Sequence, residues 1–528
     1  MTGRALISVY DKEGALKLAR SLVGLGFEIV SSGGTYSKLK EAGIPVLSVE
    51  SVTGFPEMLD GRVKTMHPMI LAGILADRSK PEHLAKLDEH GIVAIDLVVC
   101  NLYPFTSNPS IELIDIGGPT MVRSAAKNHS SVGIIVDPAD YEGVIEELTK
   151  HNELSDATRL RLARKAFAHT AAYDASIVPW FDEQLPDELP ETVHITGTLK
   201  SQCRYGENGW QSPAGLYVTG AEDVLGLGQL EVVEGATPSF NNDGDIDRAQ
   251  QTLTHAVAAF ERFGLEPQHI AIGVKHGNPC GASFGTDPVE VMGKMAQGDG
   301  RALFGGVVVT NFAVGEAEVE ALKAHQPTLD GIVAPSFTDE AISLLKRKTE
   351  KCRFITNPDL ANLSGESLDY ARRFKYVRGG ILVQPNYTFV LDYDSDGFEW
   401  VYGPPQRELQ IEGLFAWAIG STSNSNTITL VRYQMLIGNG VGQQDRVSCC
   451  ELAIKRATDS GHETEEAVAY SDSFFPFEDG PEALVRAGIK LIITTNGSIR
   501  DPKVADAIQL GAKIGWLSDS RARGFYGH

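Results

Sequence analysis

The sequence predicts an α/β protein of several units, the first of them built on a parallel sheet. Short apolar runs alternate with helical periodicity through the amino-terminal third; an acidic, proline-containing stretch then interrupts the pattern, and strand-like runs ending in Gly-rich turns resume beyond it. At 528 residues the chain exceeds what one core sustains, and ~150 residues per domain suggests three or four units. Its 42% hydrophobic and 22% charged residues are those of an ordinary globular protein.

Ala5-Leu6-Ile7-Ser8-Val9 reads as a buried strand, and from Asp11 the residues Ala15, Leu18, Leu22 and Leu25 recur at helical spacing until Gly26. Phe27 to Val30 is a second strand, leading through Ser31-Ser32-Gly33-Gly34-Thr35 into a helix. Backbone N–H groups at such a helix start can hold a phosphate, although the same turn is also an ordinary tight βα connection. Gly61-Arg62-Val63-Lys64-Thr65-Met66-His67-Pro68 gathers three cationic or titratable side chains, read either as a shaped loop or as a solvated charge run. The strand Ile95 to Val99 ends in Leu102-Tyr103-Pro104-Phe105, presenting a phenol, and Asp115-Ile116-Gly117-Gly118 opens a helix on which Arg123 and Lys127 share a face. Cations with a carboxylate and a phenol suit a phosphorylated substrate and proton transfer.

The formal charge of -22 argues against a nucleic-acid partner, because phosphate neutralisation needs basic surface. No run of about 18 apolar residues and no signal core is present, so neither a membrane partner nor export is expected and the location expected is cytoplasmic. Six cysteines at these spacings form neither a disulfide framework nor a Cys-x-x-Cys metal site.

In the second half, Ile270-Ala271-Ile272 runs into Gly273-Val274-Lys275-His276-Gly277-Asn278-Pro279-Cys280-Gly281-Ala282-Ser283, read as a strand entering a reactive loop or, alternatively, a surface turn. Lys275 and His276 can serve one site only if the backbone leaves strand geometry there. Imidazole, the side chain that titrates nearest neutrality, can act there as a proton acceptor. A zinc-deaminase signature is excluded, since Pro279-Cys280 has no second thiol at the required spacing. Between the halves, Asp182-Glu183-Gln184-Leu185-Pro186-Asp187-Glu188-Leu189-Pro190-Glu191 cannot form a core and marks a boundary.

These stretches carry a resemblance. Ser-Val-Tyr-Asp-Lys at 8–12, Ser-Gly-Gly-Thr at 32–35, Gly-Arg-Val-Lys-Thr at 61–65, Asn-Leu-Tyr-Pro-Phe at 101–105 and Ala-Ala-Lys-Asn-His at 125–129 resemble the inosine monophosphate (IMP) cyclohydrolase domain of the bifunctional purine biosynthesis family. The resemblance implies a methylglyoxal synthase-like fold. It further implies that Ser8, Lys12, Ser32, Gly34 and Thr35 hold the ribose phosphate, while Arg62, Lys64, Thr65, Tyr103, Asp115 and Lys127 surround the reacting formamide and carboxamide. Beyond the boundary, Cys-Arg-Tyr-Gly-Glu-Asn at 203–208, Phe-Asn-Asn at 240–242, the Lys275–His276 stretch, Leu-Phe-Gly-Gly at 303–306, Asp330 to Pro335, Phe415-Ala416-Trp417, Gly442 to Arg446 and Asp472 to Phe477 resemble the same family's formyltransferase half.

That half acts on aminoimidazole carboxamide ribotide (AICAR) with 10-formyltetrahydrofolate as co-substrate and needs no catalytic metal. The resemblance implies two cytidine deaminase-like α/β subdomains without zinc, dividing the chain into 1–190, 191–384 and 385–528. By motif, His276 accepts the proton, Lys275 tunes it and stabilises the oxyanion, and Asn426 orients; Arg204, Tyr205 and Arg446 position the ribotide, and Phe304, Gly305 and Asp330 line its pocket or the folate pocket. Asn242, Phe474 and Arg523 complete the substrate-binding set. The formylated product (FAICAR) would be closed to IMP in the first domain, and the family suggests a homodimer with shared transformylase sites. The family usually has Pro-His-Gln where this chain has Gly209-Trp210-Gln211, and Lys-His-Val-Lys where it has Ser421-Thr422-Ser423-Asn424; either Arg521 or Arg523 can match the carboxyl-terminal ribotide arginine. Two further readings stand beside this one: a cyclohydrolase with an impaired or donor-altered transformylase half, and a non-catalytic nucleotide-binding module.

Overall fold

A computed structural model describes residues 3–59, 63–182, 184–185, 189–219, 223–325, 328–346 and 351–524. The chain divides into two compact units, Met1–Thr196 and Gly197–His528.

The first unit is a five-stranded, wholly parallel sheet: β1 (Arg4–Ile7), β2 (Glu28–Ser31), β3 (Leu47–Ser48), β4 (Leu97–Val99) and β5 (Gly133–Ile135), in the order β3-β2-β1-β4-β5. Buried on both faces, these strands read as unbroken apolar runs, as Leu97-Val98-Val99 shows. The helix Ala15–Gly24 turns Ala15, Leu18, Ala19 and Leu22 inward. It starts four residues later than periodicity suggests, because Gly14 stands left-handed at its amino end (φ 65°). A long helix, Asp156–Asp182, closes the unit.

The second unit contains β6 (Thr198–Cys203), β7 (Ala214–Val218), β8 (Glu231–Glu234), β9 (His269–Lys275), β10 (Asn278–Gly285), β11 (Val307–Thr310), β12 (Gly331–Ala334), β13 (Arg353–Thr356), β14 (Arg373–Val377), β15 (Gly380–Gln384), β16 (Phe398–Trp400), β17 (Ile428–Arg432), β18 (Met435–Gly440), β19 (Val468–Ser471), β20 (Leu491–Thr495) and β21 (Lys513–Leu517). Twelve of these form one sheet, ordered β16-β21-β20-β19-β17-β18-β10-β9-β11-β12-β13-β8. Outward from the central β18–β10 pair the two sides repeat: a hairpin, three further strands parallel to one another and an antiparallel edge strand. The helices Phe240–Arg262 and Arg407–Ser421 occupy equivalent places in the two sides and bury a shared core around Phe260, Phe284, Phe415 and Trp417. Two smaller cores, one on each side of the repeat, surround Met292 with Phe354 and Cys450 with Ile492. The hairpins β6–β7 and β14–β15 stand apart from the large sheet.

Candidate functional site

In the first unit the strand order reverses at β1, between β2 and β4, the position where doubly wound sheets leave a crevice at the strands' carboxyl ends. A cavity of about 610 Å³ lies there, and Ser8, Lys12, Ser32, Gly34, Thr35, Lys64, Thr65, Tyr103 and Asp115 all line it. The helix Gly33–Glu41 begins in its wall with no side chain capping its first turn, which leaves backbone donors for an anion. Lys12 and Lys64 both border that turn: their Nζ atoms lie 3.9 Å and 3.1 Å from where a Cβ on Gly34 and Gly33 would stand. Thr35 locks β1's exit, its hydroxyl accepting from the Val9 amide (3.1 Å) and donating to the Val9 carbonyl (2.9 Å).

Opposite charge and burial shape the acid–base groups. Lys64 pairs with Glu57 at 2.8 Å, a carboxylate that no motif singled out. Burial, reinforced by the nearby Asp115 charge, raises the Tyr103 phenol, so it stays protonated at neutral pH. Burial also pushes the Asp115 carboxyl up, against the Gly118 amide that donates to it at 2.8 Å. A side chain at 118 would displace the carboxylate, since a Cβ there would come within 2.3 Å of Asp115 Oδ2. Tyr173, on the helix Asp156–Asp182, props this loop by accepting from the Asp115 amide (2.8 Å) and donating to the Leu113 carbonyl (2.7 Å). Lys127 does not join the cavity: it is exposed at the last residue of the helix Gly117–Lys127, roughly 15 Å along from Gly117 at 1.5 Å per residue. The expectation for Arg62 lies outside the described residues.

In the second unit the stretch read as a loop is mostly strand. Lys275 ends β9 and Asn278 begins β10, so only His276 and Gly277 form the turn, both left-handed (φ 53° and 69°). Positive φ at both central residues is the hairpin geometry matching strand twist. It costs His276 on the order of 1 kcal/mol and takes the Lys275–His276 pair out of strand alternation. Asp245 holds the turn, accepting from the Gly277 amide at 2.7 Å. Lys275 Nζ donates to the Phe304 carbonyl and lies 5.8 Å from that ring's centroid. Phe304 is exposed and Gly305 is left-handed (φ 75°). The Asp330 amide donates to the Gly306 carbonyl (2.9 Å), tying β12 to this corner.

A second cluster surrounds Asn426. Its Oδ1 accepts from Arg446 Nη2 (2.7 Å) and its Nδ2 donates to the Gln443 carbonyl (2.8 Å), while Arg446 makes a buried ion pair with Asp472. Asn426, Arg446 and Phe474 line a cavity of about 320 Å³. The Arg523 guanidinium stands 5.5 Å over the Phe474 ring, whereas Arg521 is engaged by Asp519 (2.6 Å). Of the two carboxyl-terminal arginines, Arg523 is thus the one that contacts a residue lining this cavity. Arg204 and Tyr205 form a third group in the turn after β6, tied to the helix Phe240–Arg262 by Asn241 donating to the Glu207 carbonyl (3.3 Å). Asn242 is buried in a capping box with Ser239, which gives it a structural duty at that helix start. Trp210 is 81% exposed. Among the described residues, no three His, Cys, Asp or Glu side chains group to hold a metal, and no helix is long and apolar enough to cross a membrane.

A phosphate-ready turn beside cations, a carboxylate and a phenol, followed by a repeated α/β unit with its own Lys-His turn, defines a two-site enzyme of nucleotide chemistry. Residues 14–128 match the MGS-like domain and residues 125–456 the AICARFT/IMPCHase bienzyme. The bifunctional purine biosynthesis protein PurH of Streptococcus mutans is 41% identical over 515 residues, 96% of each chain. That of Bacillus cereus is 40% identical over 518 residues, 96% of this chain and 97% of its own. The crystal structure of ForH is 38% identical and is matched over 34% of this chain and 100% of its own, with a TM-score of 0.32. This chain belongs to the AICARFT/IMPCHase bienzyme family, and it is a bifunctional enzyme, formyltransferase and cyclohydrolase, of the last two steps of IMP synthesis.

Proposed function

We propose that the two reactions are divided between the two units and carried by the clusters described above. In the second unit the AICAR amino nitrogen attacks the formyl carbon of 10-formyltetrahydrofolate. His276 takes the proton that nitrogen sheds, Lys275 stabilises the oxyanion, and tetrahydrofolate leaves with a proton on the nitrogen that held the formyl group. Asn426 orients the acceptor; Arg446, Arg204, Tyr205 and Arg523 hold the ribotide, with Phe474, Phe304, Gly305 and Asp330 around it. In the first unit the ribose phosphate of FAICAR sits on the Ser32–Thr35 turn between Lys12 and Lys64. Its carboxamide nitrogen attacks the formamide carbon, and the former formyl oxygen leaves as water, with Tyr103 and Asp115 exchanging the protons. The observation that carries this reading is the cavity at the ends of β1, β2 and β4, which joins anion-binding and acid–base groups in one space.

A homodimer is part of the proposal. The formyl-transfer residues of one chain lie in three separate groups, and the hairpins β6–β7 and β14–β15 expose Leu199, Tyr217, Tyr376 and Leu382. The cytoplasm is the expected compartment. The test assays each half-reaction separately on the purified full-length chain: AICAR with 10-formyltetrahydrofolate, and FAICAR alone. Turnover of both supports the proposal. Binding of IMP with turnover of neither substrate would overturn it in favour of a nucleotide-binding module.

A further inference from the structure

The segment Ser421-Thr422-Ser423-Asn424-Ser425-Asn426 lines the Phe474 cavity through Asn426, contacts the start of β10 through Asn424, and carries no charged side chain. Ser421, Thr422 and Ser423 are fully buried. Two arginines from different helices grip the segment. Arg446 holds its far end through Asn426. Arg248, itself 9% exposed, donates from Nη1 to the Thr422 carbonyl and to Asn424 Oδ1 (3.3 Å). The Asn424 amide in turn donates to Asn278 Oδ1 (3.0 Å), the first residue after the His276–Gly277 turn. On the helix Phe240–Arg262, Asp245 and Arg248 stand three residues apart, hence on one face; Asp245 holds the turn and Arg248 holds the segment.

We infer that Arg248 is a positioning residue for formyl transfer, fixing Thr422–Asn424 against the hairpin turn so that Asn426 and His276 face one ribotide. The inference rests on the formyltransferase reading of the second unit. Packing alone does not account for Arg248, because burying a guanidinium is costly and an apolar side chain of similar volume fills space with less penalty. Both bonds leave one nitrogen, Nη1, so a single cationic donor group bridges two acceptors on the segment. Thr252, one turn along, shares a hydrogen bond with the Thr422 hydroxyl (2.7 Å), so the segment keeps an anchor when Arg248 is changed.

The test uses the full-length enzyme with Arg248→Ala, Arg248→Lys and Asn424→Ala, each also in a His276→Ala background. A displacement near 1 Å costs up to ~10²-fold in rate, so Arg248→Ala should lower the formyl-transfer kcat at least about tenfold while the AICAR KM moves less than about threefold. Arg248→Lys and Asn424→Ala should fall between wild type and Arg248→Ala, and FAICAR ring closure should be unchanged in all. With His276 absent, Arg248→Ala should add less than about twofold, as for residues acting through one another. Wild-type kcat in Arg248→Ala overturns the inference, as does an equal loss in both backgrounds, or an AICAR KM that rises as far as kcat falls. If Arg248→Ala does not fold, Arg248→Lys decides by the same criteria. A wild-type chain that closes FAICAR but transfers no formyl group would instead refute the reading on which the inference rests.

Discussion

Tyr103 and His276 are both exposed, but Tyr103 lines the first unit's cavity beside Asp115 and His276 sits in a hairpin turn. Partial burial and the Asp115 charge hold the Tyr103 phenol protonated, so it can donate to the departing oxygen during ring closure. Tyr103→Phe should slow FAICAR closure by roughly 10² to 10⁴-fold with IMP binding little changed, since the proposed phosphate site is the Ser32–Thr35 turn; an unaltered kcat would remove the phenol from the chemistry. His276 is exposed, and its left-handed backbone is kept by the two-residue turn and by Asp245. His276→Ala should reduce formyl transfer by at least about 10²-fold while AICAR affinity changes far less. Near wild-type transfer in that variant would make the turn a surface feature.

At the scale of elements, the helix Phe240–Arg262 does two jobs. Its first turns hold the His276–Gly277 turn and the Thr422–Asn424 segment, and its middle enters the shared core with His255 fully buried. His255 Nδ1 donates to the Gln251 carbonyl (2.7 Å), and the ring stacks on Tyr387 at 5.6 Å between centroids. Burial pushes the imidazole down to about 4 from its ordinary 6.5. A depressed folded-state value means the unfolded chain binds the proton first, so the contribution is complete above about pH 6.5 and is lost as pH falls towards 4. Denaturant unfolding across that window should show wild type losing on the order of 3 kcal/mol more than His255→Gln. Parallel profiles for the two proteins would show that this imidazole is not the acid-sensitive group.

At the scale of the whole molecule, the chain folds as two units, each with its own core. Lys64→Ala should therefore abolish ring closure and leave formyl transfer at its wild-type rate in the same preparation. Loss of both activities in a well-folded variant would show that the sites are not independent. Within the second unit the repeat is joined at its centre by the β10–β18 pairing and by one core, which is why residues 197–528 stay together.

The features legible in the sequence are those written in neighbouring residues. Apolar runs and helical spacing identify the parallel strands of the first unit, because a strand buried on both faces needs no partner to be recognised. The Ser31–Thr35 turn and the acid–base residues around Tyr103 and Asp115 stand at strand ends, where a parallel sheet always presents them to the crevice. The Lys275–His276 pair stands out in the sequence, but its surroundings read as a loop and fold as two strands joined by a two-residue hairpin turn. What the tertiary structure decided depends on residues far apart in the chain. Tyr173 reaches Asp115 across 58 residues, and Arg248 meets Thr422 across 174. Asn242 carries a motif that reads as a ligand but is bound by its own helix cap, and Lys127, though next in the same motif series, ends at the far end of its helix. Local pattern determines which elements form; the order of twelve strands and the grip on each loop follow from burying one shared core, which no short stretch of sequence encodes.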